Sequence, residues 1–172
     1  MRRAAVLFLT LALLWTVVAQ ANGALAPAHV YLFVGGLYVT FAALVLPGGP
    51  GLAAVFLAGL MCDANAPVRF GTHALLFAAA HAVLVRLRDR LPHEHTAGRV
   101  VVALLANLGL FVALSLLRIG RLPDPAAAWA RLGADLVASQ LFLALVAPWL
   151  FALQTRALAL SGGAESRWRL SP

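Results

Sequence analysis

The chain has 172 residues, of which 63% are hydrophobic and 11% are charged, and its mean hydropathy is +0.92. A soluble domain carries about 25% charged residues, so this composition excludes an ordinary soluble enzyme, a disordered chain and a nucleic-acid-binding module. All 13 basic residues are arginines, and with six acidic residues they give a formal charge of +7. Because the arginines stand at the edges of apolar runs, we expect them to orient the chain in a membrane and to contact anionic lipid head groups. The sequence therefore predicts an all-α, polytopic integral membrane bundle.

The apolar runs predict six membrane spans. Residues 4–62 contain no charged side chain, which is far more than the roughly 20 residues that one helix needs to cross about 30 Å of hydrocarbon. Segments rich in proline, glycine or polar residues at 20–27 and 47–51 divide this run. The predicted spans lie at about 4–20, 28–46, 51–66, 69–87, 99–118 and 132–156. They form a single domain of residues 1–160, followed by a polar tail at 161–172.

The third span is short, but the distribution of arginines favours a full crossing. Only 12 uncharged residues run from Gly51 to Cys62. Six crossings place nine arginines on the side of the N-terminus and four on the other side, so the positive-inside rule puts both termini in the cytoplasm. An alternative interpretation is that residues 1–21 form a cleaved signal peptide, which would leave five spans.

Small residues mark faces where helices pack closely, because lipid supplies no hydrophobic force between helices. The fourth span carries Ala74, Ala78 and Ala82 at four-residue spacing. Gly109 and Ala113 form a similar pair in the fifth span. In the last span Pro148 predicts a kink, and Trp149 is a candidate interface anchor. These patterns predict a tight bundle.

Asp63 is the most informative polar residue, because it ends the uncharged run. An acid at membrane depth costs a few kcal/mol on insertion scales, so it should be paired, protonated or at the interface. Arg69, six residues on, is the expected partner. The interpretation is a structural or partner contact, with a solvated loop acid and a proton relay as alternatives. For His73 and His81, packed or hydrogen-bonded rings are favoured over a metal site.

The remaining polar residues point away from catalysis. The His-Glu-His sequence at 93–95 lacks the i, i+4 histidine spacing of helical zinc sites and is interpreted as a solvated loop. Arg131, four residues before Asp135, could pair with it, although a reversed exposed pair contributes little. Asn107 is expected to form an interhelical hydrogen bond. No Ser-His-Asp set, phosphate loop or CxxC motif is present. We therefore expect no enzymatic activity, cofactor, metal or small-molecule substrate.

The chain resembles the rod shape-determining protein MreD family. Residues 51–76 carry its pattern of two glycines, an acid at the following turn and a further glycine before small and apolar residues, here Gly51, Gly59, Asp63 and Gly71. The last span is also similar, with Pro148-Trp149 near its end and basic residues after it. Length, predicted span count and cytoplasmic termini agree with the family over nearly the whole chain.

The resemblance implies a non-enzymatic protein of the bacterial inner membrane that binds MreC and organises the elongation complex with MreB, RodA and a penicillin-binding transpeptidase. It also implies a fold similar to the S-components of energy-coupling-factor vitamin transporters. The candidates for structural or partner contacts are Gly51, Gly59, Asp63, Arg69, Gly71, Ala74, Ala78, Ala82, Pro148 and Trp149. The alternative function is a small-solute (vitamin) binding subunit of such a transporter. The first span lacks the Ala-x-x-x-Ala pair by which those subunits dock their partner.

Overall fold

The computed structural model describes residues 2–46, 48–66, 69–91, 95–119 and 125–160. These residues form helices joined by turns and one extended segment, and no strand occurs among them, which confirms the all-helical prediction. Six α-helices follow one another: α1 Arg2–Leu25, α2 Gly35–Val45, α3 Gly48–Ala64, α4 Thr72–Leu87, α5 Thr96–Ile119 and α6 Pro125–Leu160. Short 3-10 turns lie at Ala26–Ala28 and Arg88–Arg90. The expectations for residues 93–94 and for the tail fall outside the described residues.

Three helical stretches are long and apolar enough to cross a membrane, namely Arg2–Ala28, Thr96–Leu117 and Trp129–Leu160. The outward surface is apolar too, as the side chains that α6 exposes at four-residue spacing show. They are Val137, Leu141, Leu145 and Trp149, of which the last is 80% exposed. A soluble protein rarely exposes such a continuous apolar face. The chain is therefore described as a helical membrane protein.

The helices differ from the predicted spans at their boundaries. Helix α1 continues through the predicted break at 20–27 as far as Leu25, because the first proline stands only at position 27. The predicted span at 28–46 is helical only from Gly35, since residues 29–34 form a non-helical connection, called the extended segment here, which begins with His29 in a left-handed turn (φ +55°). Helix α3 begins at Gly48, inside the predicted break at 47–51. Pro50 lies in its first turn, where a helix does not need the missing N–H.

Helix α2 is the centre of the bundle. Residues 35–44 are all buried, and α3, α4, α5 and α6 pack around them. The contact with α5 is close enough that a Cβ on Gly36 would overlap the carbonyl oxygen of Ala103. Helix α1 closes the bundle against α3 and α6 with one buried face, formed by Leu7, Leu11, Leu14 and Val18. The protein thus places its shortest helix where the backbone is best protected from lipid.

The end of the bundle where α1, α3 and α5 finish, and where the extended segment, α4 and α6 enter, is called the junction end here. Residues from all these parts line common cavities, including Asn22, Cys62, His73, Ser115 and Asp135. Five of the ten buried polar side chains among the described residues lie at the junction end, namely Asp63, His73, Ser115, Asp135 and Ser139. This end is the region where a functional site is to be sought.

Candidate functional site

Asp63 caps the N-terminus of helix α4 from the preceding helix. Its Oδ1 accepts a hydrogen bond from the backbone N–H of His73 at 2.8 Å, and its Oδ2 accepts from those of Gly71 at 3.0 Å and Ala74 at 3.1 Å. The first N–H groups of a helix have no intrahelical partner and form the positive end of its dipole. The acid therefore satisfies three donors that would otherwise be unpaired inside the protein.

The ring of His73 completes this cap. Its Nδ1 lies 2.8 Å from Oδ1 of Asp63, and both side chains are almost fully buried. Since both carboxyl oxygens already accept backbone N–H groups, the ring N–H is the natural donor of the fourth hydrogen bond. A carboxyl group with four donors and no contact with lipid meets the condition under which an acid is tolerated at membrane depth.

Two glycines of the predicted pattern make this cap possible. Gly71 has a φ of +93°, a left-handed conformation that turns the chain into α4 and that other residues rarely adopt. Gly59 lies against the start of α4, where an added Cβ would come within 2.5 Å of the Cα of Ala74. Helices α3 and α4 can therefore approach until the carboxyl group of Asp63 reaches the α4 amides.

The expected ion pair between Asp63 and Arg69 was wrong. Among the described contacts, the carboxyl group meets His73 and three amides and no arginine, while the side chain of Arg69 is exposed. The physical reason is geometric: Arg69 lies in the connection itself, where its side chain faces outward. Its backbone carbonyl instead accepts hydrogen bonds from the amide and hydroxyl of Thr72.

The other predicted candidates are dispersed. Gly51 faces His81, with room for no more than a hydrogen, because a Cβ would lie 2.9 Å from the Nε2. Ala74 is buried, Ala78 is half-buried and Ala82 is exposed, so the triplet does not form one interface. Each four-residue step rotates about 40° around a helix of 3.6 residues per turn, which carries the third member off the shared face.

In the last helix, the two predicted candidates belong to different surroundings. Pro148 is half-buried within α6, which continues on both sides of it, and Trp149 projects outward. Neither residue is at the junction end. These two candidates are therefore separate from the polar site.

The extended segment at 29–34 was not predicted, and it is the second component of the site. Asn22 of α1 binds both sides of Leu32: its Oδ1 accepts from the Leu32 N–H at 2.7 Å, and its Nδ2 donates to the Leu32 carbonyl at 3.1 Å. From α6, Asp135 accepts the Tyr31 N–H at 2.9 Å and Ser139 accepts the Phe33 N–H at 2.9 Å. Side chains thus replace the hydrogen bonds that a helix would have made.

Asn107 continues this series at the start of α2. Its Oδ1 accepts the Gly36 N–H at 3.1 Å, and its Nδ2 donates to Oε1 of Gln140 at 3.2 Å, which links α5 to α2 and α6. The predicted interhelical hydrogen bond of Asn107 is therefore confirmed. Irregular backbone at membrane depth is tolerated only where protein satisfies and covers it, and these polar side chains meet that requirement.

Asp135 differs from its prediction in the same way as Asp63. It is buried and binds the Tyr31 amide, whereas Arg131 is exposed on the first turns of α6. In both cases the chosen partner is a backbone N–H from a distant part of the chain, which spacing along one helix does not reveal. The sequence did contain a signal for these contacts. A few polar residues stand inside otherwise apolar runs, namely Asn22, Asn107, Asp135, Ser139 and Gln140.

The extended segment separates two cavities at the junction end. One has a volume of about 210 Å³ and lies against α1, with Trp15, Asn22 and Cys62 in its wall. The other has a volume of about 350 Å³ and lies against α5 and α6, with Ser115 and Asp135 in its wall. Tyr31, Phe33, Asn65, Ala66 and His73 line both. The arrangement offers hydrogen-bond donors and acceptors beside aromatic rings, which suits a small polar solute or ordered water.

Within the described residues, no three histidine, cysteine or acidic side chains come together to bind a metal. His81 is buried, and its Nε2 has no hydrogen-bond partner within the part of the chain that the structure describes. It lies on α4 two turns beyond His73, away from the cap. Comparison of the chain with models of known protein families, with curated proteins and with solved structures found no match.

Proposed function

We propose that this protein is a non-enzymatic scaffold of the bacterial inner membrane, of the MreD type, which supports rod shape and lateral peptidoglycan synthesis by binding MreC. The observation that carries the proposal is the unit formed by Gly59, Asp63, Gly71 and Ala74. Three of the four residues of the pattern on which the resemblance rests, Gly59, Asp63 and Gly71, belong to one structural device, an acid of α3 that caps α4 across a glycine contact. The fourth, Gly51, lies apart from it against His81.

The proposal includes six crossings, in a fold similar to an S-component. Helix α2 has only 11 residues, or about 17 Å at 1.5 Å per residue. The four non-helical residues 30–33 before it add at most about 13 Å at 3.3 Å per residue, so residues 30–45 can together span the roughly 30 Å of hydrocarbon. Helix α3 has 17 residues and α4 has 16, which correspond to lengths of about 26 and 24 Å. The residues that flank each helix therefore need to cover only the few remaining ångströms of the hydrocarbon layer.

The arrangement of arginines supports cytoplasmic termini. Arg86, Arg88, Arg90 and Arg99 lie where α4 ends and α5 begins, and Arg156 lies near the end of α6, in the half of the bundle opposite the junction end. In this half Gln154 of α6 approaches Thr10 near the start of α1. By the positive-inside rule this half faces the cytoplasm and the junction end faces outward.

A scaffold role agrees with the use of the buried polar groups. Asn22, Asn107, Asp135 and Ser139 are engaged by the backbone of the extended segment and α2, and Asp63 by that of α4. Groups held in this way serve structure and are poorly placed to move protons or attack a substrate. The exposed stripe of α6 from Val137 to Trp149 offers a partner helix an apolar face with a large anchor.

The test is co-purification with MreC from the same organism after joint expression in a rod-shaped host. The variants Leu145→Ser and Trp149→Ala change only exposed side chains, and Leu160→Ser, exposed at the end of α6, is the matched control. We expect the first two to weaken MreC recovery and the control to leave it unchanged, with depletion of the protein causing cells to round. Intact recovery of MreC by both stripe variants would remove α6 as the interface. No recovery of MreC by the wild type would reject the function.

The topology is tested separately with reporter fusions at residues 46, 66, 93, 124 and 172. The expected positions are inside, outside, inside, outside and inside. An inside signal at residue 66 would mean that α3 does not cross, and it would reverse the orientation of every later segment.

A small-solute binding subunit of a vitamin transporter is the second candidate, and the two cavities at the junction end favour it. Their volumes of about 210 and 350 Å³ approach or fall within the range of about 300–1,000 Å³ typical of ligand sites. A thermal-shift screen of the purified protein with water-soluble vitamins separates the candidates. A vitamin that stabilises the wild type but not Asp135→Asn would support transport, whereas no shift with any vitamin would leave the cavities without this role.

A further inference from the structure

Helices α4 and α5 are neighbours that leave a groove between them. The α4–α5 groove has a volume of about 420 Å³, and every residue in its wall is apolar or glycine, including Leu76, Ala80, Val83, Leu87, Leu105 and Gly109. Gly109 has open space around it, because an added Cβ would meet no atom within 4 Å. The small residues here do not bring the helices together but deepen the space between them.

The length of the groove matches one leaflet of a bilayer. From Leu76 to Leu87 the wall runs about 16 Å along α4 at 1.5 Å per residue, and from Val102 to Leu110 about 12 Å along α5. The hydrocarbon of a whole membrane is about 30 Å thick, so the groove has the depth of about one acyl layer. A partner's membrane-spanning helix would require an apolar groove about twice as long.

The groove ends in a basic cluster. Leu87 and Leu91 both line it, and between them lies the turn Arg88–Arg90. Arg86 precedes this turn, and Arg99 stands on α5 one turn before Val102. Among the charged residues that the structure describes from 86 to 99, Asp89 alone is acidic. An apolar channel of one-leaflet depth with positive charge at its mouth is complementary to a lipid that has an anionic head group.

We propose that the α4–α5 groove is a binding site for one anionic phospholipid, with an acyl chain between the helices and the phosphate at the arginines of the turn. The inference does not rest on the proposed function, since the proposed partner face lies on α6 and the candidate solute cavities lie at the junction end. Bound lipid fills the open space between α4 and α5 along the groove. The site makes the bundle sensitive to the lipid composition of the leaflet that contains the arginines.

The test is native mass spectrometry of the full chain in non-ionic detergent, titrated with dioleoylphosphatidylglycerol or dioleoylphosphatidylcholine. The acyl chains are the same, so the comparison isolates the head group. We expect tighter binding of the glycerol lipid. The double variant Arg88→Gln/Arg90→Gln should weaken it roughly 30-fold, from the attraction of two arginines near an anionic surface, and should leave the choline lipid unchanged. Gly109→Phe should weaken both lipids by filling the groove.

Matched controls separate this site from general effects of charge and bulk. Arg69→Gln/Arg131→Gln removes two exposed arginines at the junction end, and Gly23→Phe adds the same ring at a glycine of α1 that also has open space. Both should bind lipid as the wild type does. Equal binding of the two lipids by the wild type, or equal losses in the two arginine pairs, would overturn the proposal. So would a Gly109→Phe variant that folds and keeps its lipid but loses MreC. If that variant fails to fold, the arginine pairs decide alone.

Discussion

The two sides of helix α4 show how differently the same kinds of residue pack. Towards α3, Ala74 lies against Gly59 and the carboxyl group of Asp63 closes the contact with three backbone hydrogen bonds. Towards α5, Ala79, Ala80 and Gly109 face each other across an open groove. Small residues thus permit close approach but do not cause it. A directional polar contact is what distinguishes the closed side from the open one.

The position of α5 has the same explanation. Asn107 ties α5 to the buried helix α2 and to Gln140 of α6, and Gly36 lets α2 and α5 touch. No comparable polar bond among the described residues joins α4 to α5. The chain therefore brings helices together where a buried side chain meets a backbone group, and the remaining space is left to lipid.

The largest expected effect comes from removing the α4 cap. Asp63→Ala leaves three amides and the His73 ring without partners in a buried setting, and we expect it to lower the free energy of unfolding by about 3–5 kcal/mol. The measurement is unfolding in mixed detergent and SDS micelles, followed by circular dichroism. Asp89→Ala, at an exposed acid, is the matched control. A loss below about 1 kcal/mol would mean that the cap does not hold α4.

Removing the bond that places α5 should have the next largest effect. Asn107→Ala leaves the Gly36 N–H and the Gln140 amide oxygen without this partner, and we expect a loss of about 2–3 kcal/mol. Asn65→Ala is the control, because Asn65 is exposed and its side chain bonds only within its own turn. Similar losses in both variants under the same unfolding assay would contradict the role assigned to Asn107.

Much of the fold could be predicted, because apolar run lengths respond directly to the thickness of a membrane. The six helices lie within the six predicted stretches or overlap them, and Asn107 was correctly assigned an interhelical bond. The extended segment at 29–34 could not be predicted, since its apolar residues, from Val30 to Val34, suit a helix equally well. What holds it extended comes from Asp135 and Ser139, more than 100 positions away in the chain.

The candidate site was predicted in its residues but not in its contacts. Asp63 was singled out as an acid that should be paired, protonated or at the interface, and Gly59 and Gly71 as parts of one pattern. The error was to look for the partner among charged side chains. A sequence does not show which backbone N–H groups will lack a partner in the fold. Asp63 and Asp135 both bind such groups. In apolar surroundings, the free end of a helix or an extended segment therefore competes with arginine for a buried acid.

The glycines on the two sides of α4 provide a paired test of the same comparison. Gly59→Ala places a methyl group 2.5 Å from the backbone of Ala74, and we expect it to destabilise by about 1–3 kcal/mol as α3 and α4 separate. Gly109→Ala makes the identical change where nothing lies within 4 Å. It should stabilise by about 0.5–1 kcal/mol, because alanine loses less conformational freedom in a helix. Changes of the same sign in both variants, measured by the unfolding assay, would contradict the distinction between a closed and an open side.

The smallest expected effect is also the one that separates the observed contact from the predicted ion pair. Arg69 is exposed, so Arg69→Gln should change the free energy of unfolding by no more than about 0.5 kcal/mol. An ion pair with Asp63 would instead require a larger loss, and the double variant with Asp63→Ala would then lose less than the sum of the two single changes. Strict additivity means that Asp63 acts through the α4 amides and the His73 ring, without Arg69. A coupling above about 1 kcal/mol would show that Arg69 is the partner of Asp63. The close contact between α3 and α4 would then depend on an ion pair with the connecting loop and not on hydrogen bonds to the N-terminus of α4.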